Sequence, residues 1–201
     1  IAELKLKHAV ITSVTRDDLP DGGASHFAAL THEIKRQAPA CRIELLIPDL
    51  QGNRDALATI LEAAPQVLGH NLETVPRLHP LVRQGADYQR SLTLLAQVKE
   101  MAPQIVRKSG LMLGMGETQD EIIQSLQDLR HAHCQVLTLG QYLAPTRTHF
   151  PVERYISPEE FADLKRQADT LGFDHVEAGP LVRSSYHAEE QFDAGLAGKG
   201  S

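Results

Sequence analysis

The feature that most constrains the fold is the recurrence of six short apolar segments, separated by longer stretches with an amphipathic helical pattern. Val, Ile and Leu run almost continuously through these segments, which is typical of strands buried on both faces of a sheet. The segments cover residues 7–14, 41–48, 66–73, 105–117, 135–143 and 173–179. Strands that alternate with helices predict parallel βα units, which wind right-handedly into a Rossmann-like layer or a full or partial barrel.

Two of the intervening helices have ends that the sequence predicts. Thr118 precedes Glu121 by three residues and Ser157 precedes Glu160 by three residues, so each pair predicts a capping box at a helix start. Apolar residues then follow at helical spacing, and Gly172 is placed to end the second helix. These signals support the division of the chain into βα units.

Length and composition indicate one soluble domain. A chain of 201 residues can bury a sizeable core as a single domain over residues 1–201, with a flexible tail predicted at 189–201. The longest apolar runs are far shorter than a membrane span, and a formal net charge of -6 disfavours a nucleic-acid partner. Two cysteines, Cys41 and Cys134, cannot build a disulfide framework and favour a reducing compartment. We therefore predict a cytoplasmic protein, or a mitochondrial one if the source is eukaryotic, with small-molecule or protein substrates.

In a parallel βα fold the ligand site lies at the carboxyl ends of the strands, and this rule selects the loops of interest. The loop after the first strand carries Arg16, Asp17, Asp18, Asp21, Gly22 and Gly23. Paired carboxylates can act as a general base or bind a metal, and adjacent glycines let the backbone approach a ligand closely. On these residues alone we favour the alternative, a Pro-Asp-Gly turn whose aspartates cap the next helix.

The loop after the third strand offers Asn71 and Glu73 on alternate positions. Alternate residues of an extended segment leave the same face, so the amide and the carboxylate are predicted to lie side by side. Such a pair suits two vicinal hydroxyls, such as those of a ribose. A polar strand end without any ligand explains the two residues equally well.

The loop after the fourth strand is rich in glycine, with Gly110, Gly114 and Gly116 inside GLMLGMGET. It runs from a strand into a helix and could hold a phosphate at the helix start. It matches neither the G-x-G-x-x-G nor the Walker pattern, and a flat ring packed against bare backbone is an equally good interpretation.

Two further clusters remain ambiguous from their chemistry. The stretch HAHC at 131–134 falls where a helix ends and a strand begins, so we interpret it as structural and not as a metal site. Near the carboxyl terminus, Ser184 and Ser185 lie between an arginine and a tyrosine and could be a nucleophile, a helix cap or a ligand. A G-x-S-x-G elbow is absent, which leaves a serine-hydrolase interpretation without support.

Seven stretches occur in consistent order between residues 8 and 188: HAVITSVTRDDLPDGGASHF, ELLIPDLQG, GHNLETVPRL, SLTLLAQVKE, SGLMLGMGET, LTLGQYLAPTRTHFPVERYISPEEF and GFDHVEAGPLVRSSYHA. Together they resemble the lipoyl synthases, a family of the radical S-adenosylmethionine (SAM) superfamily. The resemblance implies a partial (β/α)6 barrel of the radical SAM type.

The resemblance also implies a reaction. Lipoyl synthases insert two sulfur atoms at C6 and C8 of an octanoyl chain carried on a lysine of a lipoyl-carrier domain. They use two 4Fe-4S clusters: one binds and cleaves SAM to give a 5'-deoxyadenosyl radical, and an auxiliary cluster supplies the sulfur. Unactivated C–H bonds offer no acidity to a base, so a radical cofactor must perform the difficult step.

Individual residues acquire roles through the same resemblance. Ser185, directly before the tyrosine of RSSY, corresponds to the family's serine ligand to the auxiliary cluster. Asn71 and Glu73 fall where the related biotin synthases hold the ribose of SAM, and Arg90 resembles their arginine that meets the cofactor's carboxylate.

Two glycine-rich loops have weaker counterparts in the superfamily. Gly22 and Gly23 resemble the contact to the cofactor's amino group. The segment GLMLGMGE resembles the adenine-packing G-x-I-x-G-x-x-E segment, with Met112 in place of isoleucine. A catalytic residue is not assigned.

The sequence departs from the family in its cysteines. The family requires CxxxCxxC for the SAM-binding cluster and CxxxxCxxxxxC for the auxiliary cluster, and neither motif is present. Because these motifs precede the strand at 7–14 in the family, and the first residue is Ile1, we expect an N-terminally truncated chain that is inactive alone. The alternatives are a biotin-synthase-like sulfur insertion, or a cluster-free module that binds a carrier protein or a nucleoside.

Partners follow from the resemblance as well. They are an octanoylated lipoyl-carrier domain, either an E2 subunit or an H protein, and an electron donor such as ferredoxin or flavodoxin. Arg147 and Arg154 are candidates for docking an acidic carrier surface, although a solvated loop explains them more simply.

Overall fold

The computed structural model describes residues 1–186 and residue 188, so the tail predicted at 189–201 lies outside the described residues. Six strands form one sheet in which every neighbouring pair is parallel, and their spatial order equals their order in the chain. The strands are β1 (His8–Thr12), β2 (Arg42–Leu46), β3 (Val67–Gly69), β4 (Val106–Leu113), β5 (Val136–Gln141) and β6 (His175–Gly179).

The strand order decides between the two predicted architectures. A doubly wound Rossmann-like sheet reverses its order at a switch point, whereas an uninterrupted order with right-handed crossovers puts all helices on one face. The sheet therefore has a convex face that is covered by helices and a concave face that is not. This confirms the predicted fold class, a partial (β/α)6 barrel.

The helices occupy the gaps between strands as predicted. They are α1 (Ala24–Gln37), α2 (Arg54–Glu62), α3 (His79–Val82), α4 (Tyr88–Met101), α5 (Gln119–His131) and α6 (Pro158–Thr170). Both predicted capping boxes are present, at the starts of α5 and α6, with each Ser or Thr hydroxyl and each Glu carboxylate bonding to the other's backbone. Gly172 follows α6 with a φ of 85°, as a helix-ending glycine requires.

The hydrophobic core lies between the convex face and the helices. Ile43, Leu45 and Leu68 pack with apolar residues of α1, α2 and α4. Leu111 and Leu113 belong to a second cluster with residues of α5 and α6. Both sets of strand residues are almost completely buried, which matches the near-continuous apolar composition of the strands.

The concave face is made by the residues that alternate with these core positions, and its composition is different. A small apolar cluster of Val67, Val106 and Val136 lies at one level. The other positions on this face include the charged residues Glu44 and Lys108 and the glycines Gly69, Gly110, Gly140 and Gly179. The glycines leave space above the middle of the sheet.

Across residues 1–186 and 188, the structure contains no helix with the length and apolar character that a membrane span needs.

Candidate cofactor site at the carboxyl ends of the strands

The six strands are parallel and adjacent, so their carboxyl ends share one edge of the sheet. The loops that carry the predicted site residues all start at that edge. A larger groove of about 560 Å³ lies elsewhere, on the outer surface between α2, α4 and α5. Its lining comes from these helices and their ends, and not from the loops that carry the predicted site residues.

Asn71 and Glu73 follow β3 after His70, and the structure places the Asn71 amide near enough to the Glu73 carboxyl group to favour its charged form. Glu73 continues the sheet beyond β3: its amide donates to the Gly110 carbonyl (2.9 Å), and its carbonyl accepts from the Met112 amide (2.8 Å). Its φ is 68°, so the segment is not the regular extended strand that the alternation predicts. Glu73 instead has a left-handed backbone conformation, which its two hydrogen bonds to the β4 backbone hold in place. This conformation sets the two side chains next to each other.

Burial raises the pKa of Glu73, and the nearby Arg83 guanidinium and the Asn71 amide only partly offset that effect. Arg83 also donates to the Asn71 carbonyl oxygen (3.0 Å), which ties the backbone of this loop to the segment before α4. The pair therefore offers an amide and a carboxyl group, both partly exposed, at a rigid strand end.

His70, the residue between β3 and this pair, was not predicted as a site residue. It is 1% exposed, and its Nδ1 donates to the Ile47 carbonyl (2.9 Å) while its Nε2 bonds to the Ser91 hydroxyl (3.0 Å). Burial lowers the pKa of His70 to about 4, so the ring is neutral at physiological pH. His70 links the ends of β2 and β3 to α4, and its position at a strand end was the available sequence signal.

Arg90 lies in a cleft of about 410 Å³ that is lined by residues after β1, after β2 and around the start of α4. Its guanidinium forms an ion pair with Asp49 (Nε to Oδ2, 2.9 Å), and Arg83 lines the same cleft. Asp17, one of the acidic residues after β1, also borders it. Arg83 thus connects the Asn71 loop to the cleft that contains Arg90.

Gly22 and Gly23 lie at the start of α1, both with positive φ (59° and 89°). A side chain at Gly22 would stand 3.1 Å from Leu50, and Gly23 borders a small cleft of about 140 Å³. Asp21 accepts from the amides of Gly23 (3.0 Å) and Ser25 (2.8 Å), and these bonds with the Ser25 hydroxyl lower the pKa of Asp21 to about 2. For Asp21, the helix-capping interpretation is confirmed.

The glycine-rich loop after β4 binds its own carboxylate. Glu117 accepts from the amides of Gly114 (2.5 Å) and Met115 (2.9 Å), and it is 6% exposed. A phosphate at this position would need the same amide donors. The internal carboxylate therefore disfavours the phosphate interpretation, and packing of a flat ring against the backbone is the better one.

The chain turns back after β6 and lies over the concave face. The Val182 amide donates to the Gly179 carbonyl (3.1 Å), and the Ser184 carbonyl accepts from Lys108 Nζ (2.5 Å). Ser185 is exposed. The structure therefore places Ser185 next to a main-chain group that reaches into the sheet's interior.

The two cysteines are buried structural residues. Burial raises the pKa of Cys134 to about 12 and also raises that of Cys41, so neither favours the thiolate form that a metal needs. Over residues 1–186 and 188, His, Cys, Asp and Glu nowhere form a group of three that could hold a metal ion. The described residues do not fit the thiolate ligation of a 4Fe-4S cluster.

The family model that matches this chain is that of the radical SAM superfamily, over residues 1–129. The chain belongs to the radical SAM superfamily. A solved structure of another protein, methylornithine synthase, covers 81% of the chain with a TM-score of 0.61 at 14% identity, which shows a shared fold and nothing further. The loops described above are thus those of a radical SAM barrel.

The most similar relatives include lipoyl synthases. The chain is 53% identical to that of Rubrobacter xylanophilus over 95% of its length, 56% identical to that of Citrifermentans bemidjiense over 96%, and 57% identical to that of Vibrio vulnificus over 95%. The predicted resemblance to lipoyl synthases is confirmed, and the biotin-synthase-like alternative is not favoured. The chain spans 60% to 66% of the length of these three relatives.

Proposed function

We propose that this chain is the barrel portion of a lipoyl synthase, which inserts two sulfur atoms at C6 and C8 of a protein-bound octanoyl-lysine. The observation that carries the proposal is sequence identity of 53% to 57% to lipoyl synthases over nearly the whole chain. The identity spans the loops at the carboxyl ends of the strands, where a barrel of this kind holds its ligands.

Three groups of residues fit SAM. Asn71 and Glu73 offer an acceptor and donor pair at a rigid strand end, which suits the two ribose hydroxyls. Arg90 has five N–H donors, and its ion pair with Asp49 leaves donors for the cofactor's carboxylate. Gly23 borders a small cleft from which the cofactor's amino group can approach its backbone, and the adjacent Gly22 packs against Leu50.

The cofactor, when bound with its cluster, supplies a radical that abstracts hydrogen from the octanoyl carbons. The residues of this chain bind and orient it. Neutral His70 and the Arg83–Asn71 bond hold the ribose-binding loop in place, because they join it to β2 and α4. A rigid loop would hold the cofactor in one orientation.

The two 4Fe-4S clusters, unlike SAM, need thiolate ligands from the protein. With two buried, separated cysteines, the 201-residue chain lacks the thiolates for either cluster. We propose that it assembles neither cluster alone, and that Ser185 contributes one oxygen ligand to the auxiliary cluster in the complete enzyme. An oxygen ligand is harder than thiolate and binds iron of this kind less well, which suits a cluster that gives up its sulfur.

The proposed partners are an octanoylated carrier domain and a low-potential reductant, ferredoxin or flavodoxin. Arg154 is paired with Glu160 (2.6 Å), whereas Arg147 lies on the same exposed loop after β5 and is the better candidate for an acidic carrier surface. The proposed compartment is the reducing cytoplasm, or the mitochondrion if the source is eukaryotic, which suits the free thiols of Cys41 and Cys134.

A chimera tests the function. The matching portion of the Vibrio vulnificus lipoyl synthase is replaced by this chain, the clusters are reconstituted, and the chimera is given SAM, reductant and octanoylated H protein. We expect the mass of the octanoyl group to increase by two sulfur atoms, and dethiobiotin to remain unchanged. Cluster assembly and SAM cleavage without sulfur in the octanoyl group would contradict the proposal.

Asn71→Ala and Arg90→Ala in the same chimera sharpen the test. Each should weaken SAM binding by about tenfold or more, because a ligand group loses a hydrogen-bonding partner at a partly buried site. Thr93→Ala, on the outer surface of α4, is the matched control and should bind SAM normally.

A further inference from the structure

The concave face contains a buried ion pair whose partners come from β2 and β4, the two strands on either side of β3. Lys108 Nζ on β4 donates to Glu44 Oε1 on β2 (2.7 Å), and the two side chains are 3% and 2% exposed. His8 Nε2 on β1 lies 3.3 Å from the second oxygen of the Glu44 carboxylate. A buried ammonium is stable only when its charge is paired and its remaining donors find acceptors.

The segment after β6 supplies such an acceptor. Lys108 Nζ also donates to the carbonyl oxygen of Ser184, 76 residues further along the chain. A charge-assisted hydrogen bond of this kind is stronger than a neutral one. Without residues 182–185 in place, the ammonium would lose this acceptor.

A second observation, independent of the ion pair, fixes the same segment. A Cβ added at Gly140 on β5 would overlap the carbonyl oxygen of Val182. The Val182 backbone thus lies directly on the bare strand at Gly140, and Val182 as a whole is 7% exposed. The segment is seated in a space that only glycine leaves open.

We infer that Lys108 and Gly140 form a seat for residues 182–185, and that this seat fixes the position of Ser185 over the concave face. Lys108 is a positioning residue: it holds the main chain one residue before Ser185. The seat itself is inferred from contacts within this chain alone. Its purpose, to aim Ser185 at the auxiliary cluster, rests on the proposed function.

Hydrogen exchange tests the seat in the 201-residue chain. The double variant Glu44→Gln/Lys108→Met removes both charges at similar volume, so neither is left unpaired. We expect peptides from residues 180–186 to exchange about tenfold to a hundredfold faster than in the unmodified chain, because a charge-assisted hydrogen bond is lost. Peptides from β4 and β5 should keep their protection.

Gly140→Ala is the second variant, and it keeps both charges. Its added methyl group should displace Val182 and accelerate exchange in the same peptides. Lys35→Met is the matched control, since Lys35 also donates to backbone carbonyls, those of Ala63 (2.7 Å) and Ala64 (2.8 Å), but far from this segment. It should leave residues 180–186 unchanged.

Unchanged exchange of residues 180–186 in the folded double variant would overturn the role of Lys108. If the double variant does not fold, Gly140→Ala decides, and unchanged exchange there would overturn the seat. These measurements need no cluster, SAM or carrier protein. They succeed or fail independently of the sulfur-insertion assay, and a seat that is confirmed beside a chimera that inserts no sulfur would refute the proposed function alone.

Discussion

On the convex side of the sheet, alternate residues of every strand pack against helices, and side chains such as Leu113 and Phe161 are almost fully buried among other apolar groups. On the concave side, the same strands present a charged pair, Glu44 and Lys108, and bare glycines. An apolar surface needs only volume and complementary shape. A buried charge needs a specific partner at a specific distance. The convex face therefore supplies stability, while the concave face fixes the position of particular groups.

The largest expected effect comes from breaking the convex face. Phe161→Ala removes a ring that is 1% exposed under α6, and we expect the free energy of unfolding to fall by about 3–5 kcal/mol, from lost burial and the cavity left behind. Urea denaturation measures the change. Leu30→Ala in α1, where the leucine is 43% exposed, is the control and should cost less than about 1 kcal/mol. Equal losses of unfolding free energy in the two variants would show that the core on the convex face does not determine the stability of the fold.

Substitutions in the ion pair of the concave face should change the free energy of unfolding non-additively. Lys108→Met alone leaves the Glu44 carboxylate buried without its cation and should lower the free energy of unfolding by about 3 kcal/mol. Adding Glu44→Gln should recover more than half of that loss, since the stranded charge is gone. A double-mutant cycle in urea measures the coupling. Additive single effects would mean that the two side chains do not act as a pair.

The sequence predicts the convex face much better than the concave one. Strand periodicity and the capping boxes at Thr118 and Ser157 depend on residues close together in the chain, and the structure confirms them. The pairing of Glu44 with Lys108 spans 64 residues, and its sequence signal is limited to charged residues inside two mostly apolar strands. Periodicity identifies such a charge but not its partner.

The candidate site shows the same limit. Alternation predicts that Asn71 and Glu73 lie side by side, and the two are neighbours, but through a left-handed residue and not through a regular strand. His70 escaped prediction because its role depends on Ile47 and Ser91, 23 and 21 residues away. Roles that arise from contacts between loops need the fold before they can be assigned.

Because His70 is buried and neutral, we predict that the free energy of unfolding depends moderately on pH. Its pKa is about 4 in the folded protein and about 6.5 when unfolded, so the unfolded state takes up the proton first. The contribution of His70 to stability is complete above pH 6.5 and is lost as the pH falls towards 4. Between pH 7.5 and 4.5, His70→Asn should therefore lose roughly 2 kcal/mol less stability than the unmodified chain.

Urea unfolding at the two pH values measures that difference. His32→Asn, at an exposed histidine of α1, is the matched control and should follow the unmodified chain. A parallel pH dependence of His70→Asn and the unmodified chain would show that His70 is not held neutral in the fold.

The smallest expected effect separates two adjacent serines of the concave segment. Ser184 contacts Lys108 through its carbonyl oxygen, which any residue possesses, whereas the proposed role of Ser185 needs its hydroxyl. Ser184→Ala should therefore change the exchange of residues 180–186 by less than about twofold and leave sulfur insertion by the chimera intact. Ser185→Ala should abolish sulfur insertion while the segment stays seated. A Ser184→Ala chimera as inactive as Ser185→Ala would mean that the Ser184 hydroxyl, and not its main chain, is what the concave face uses.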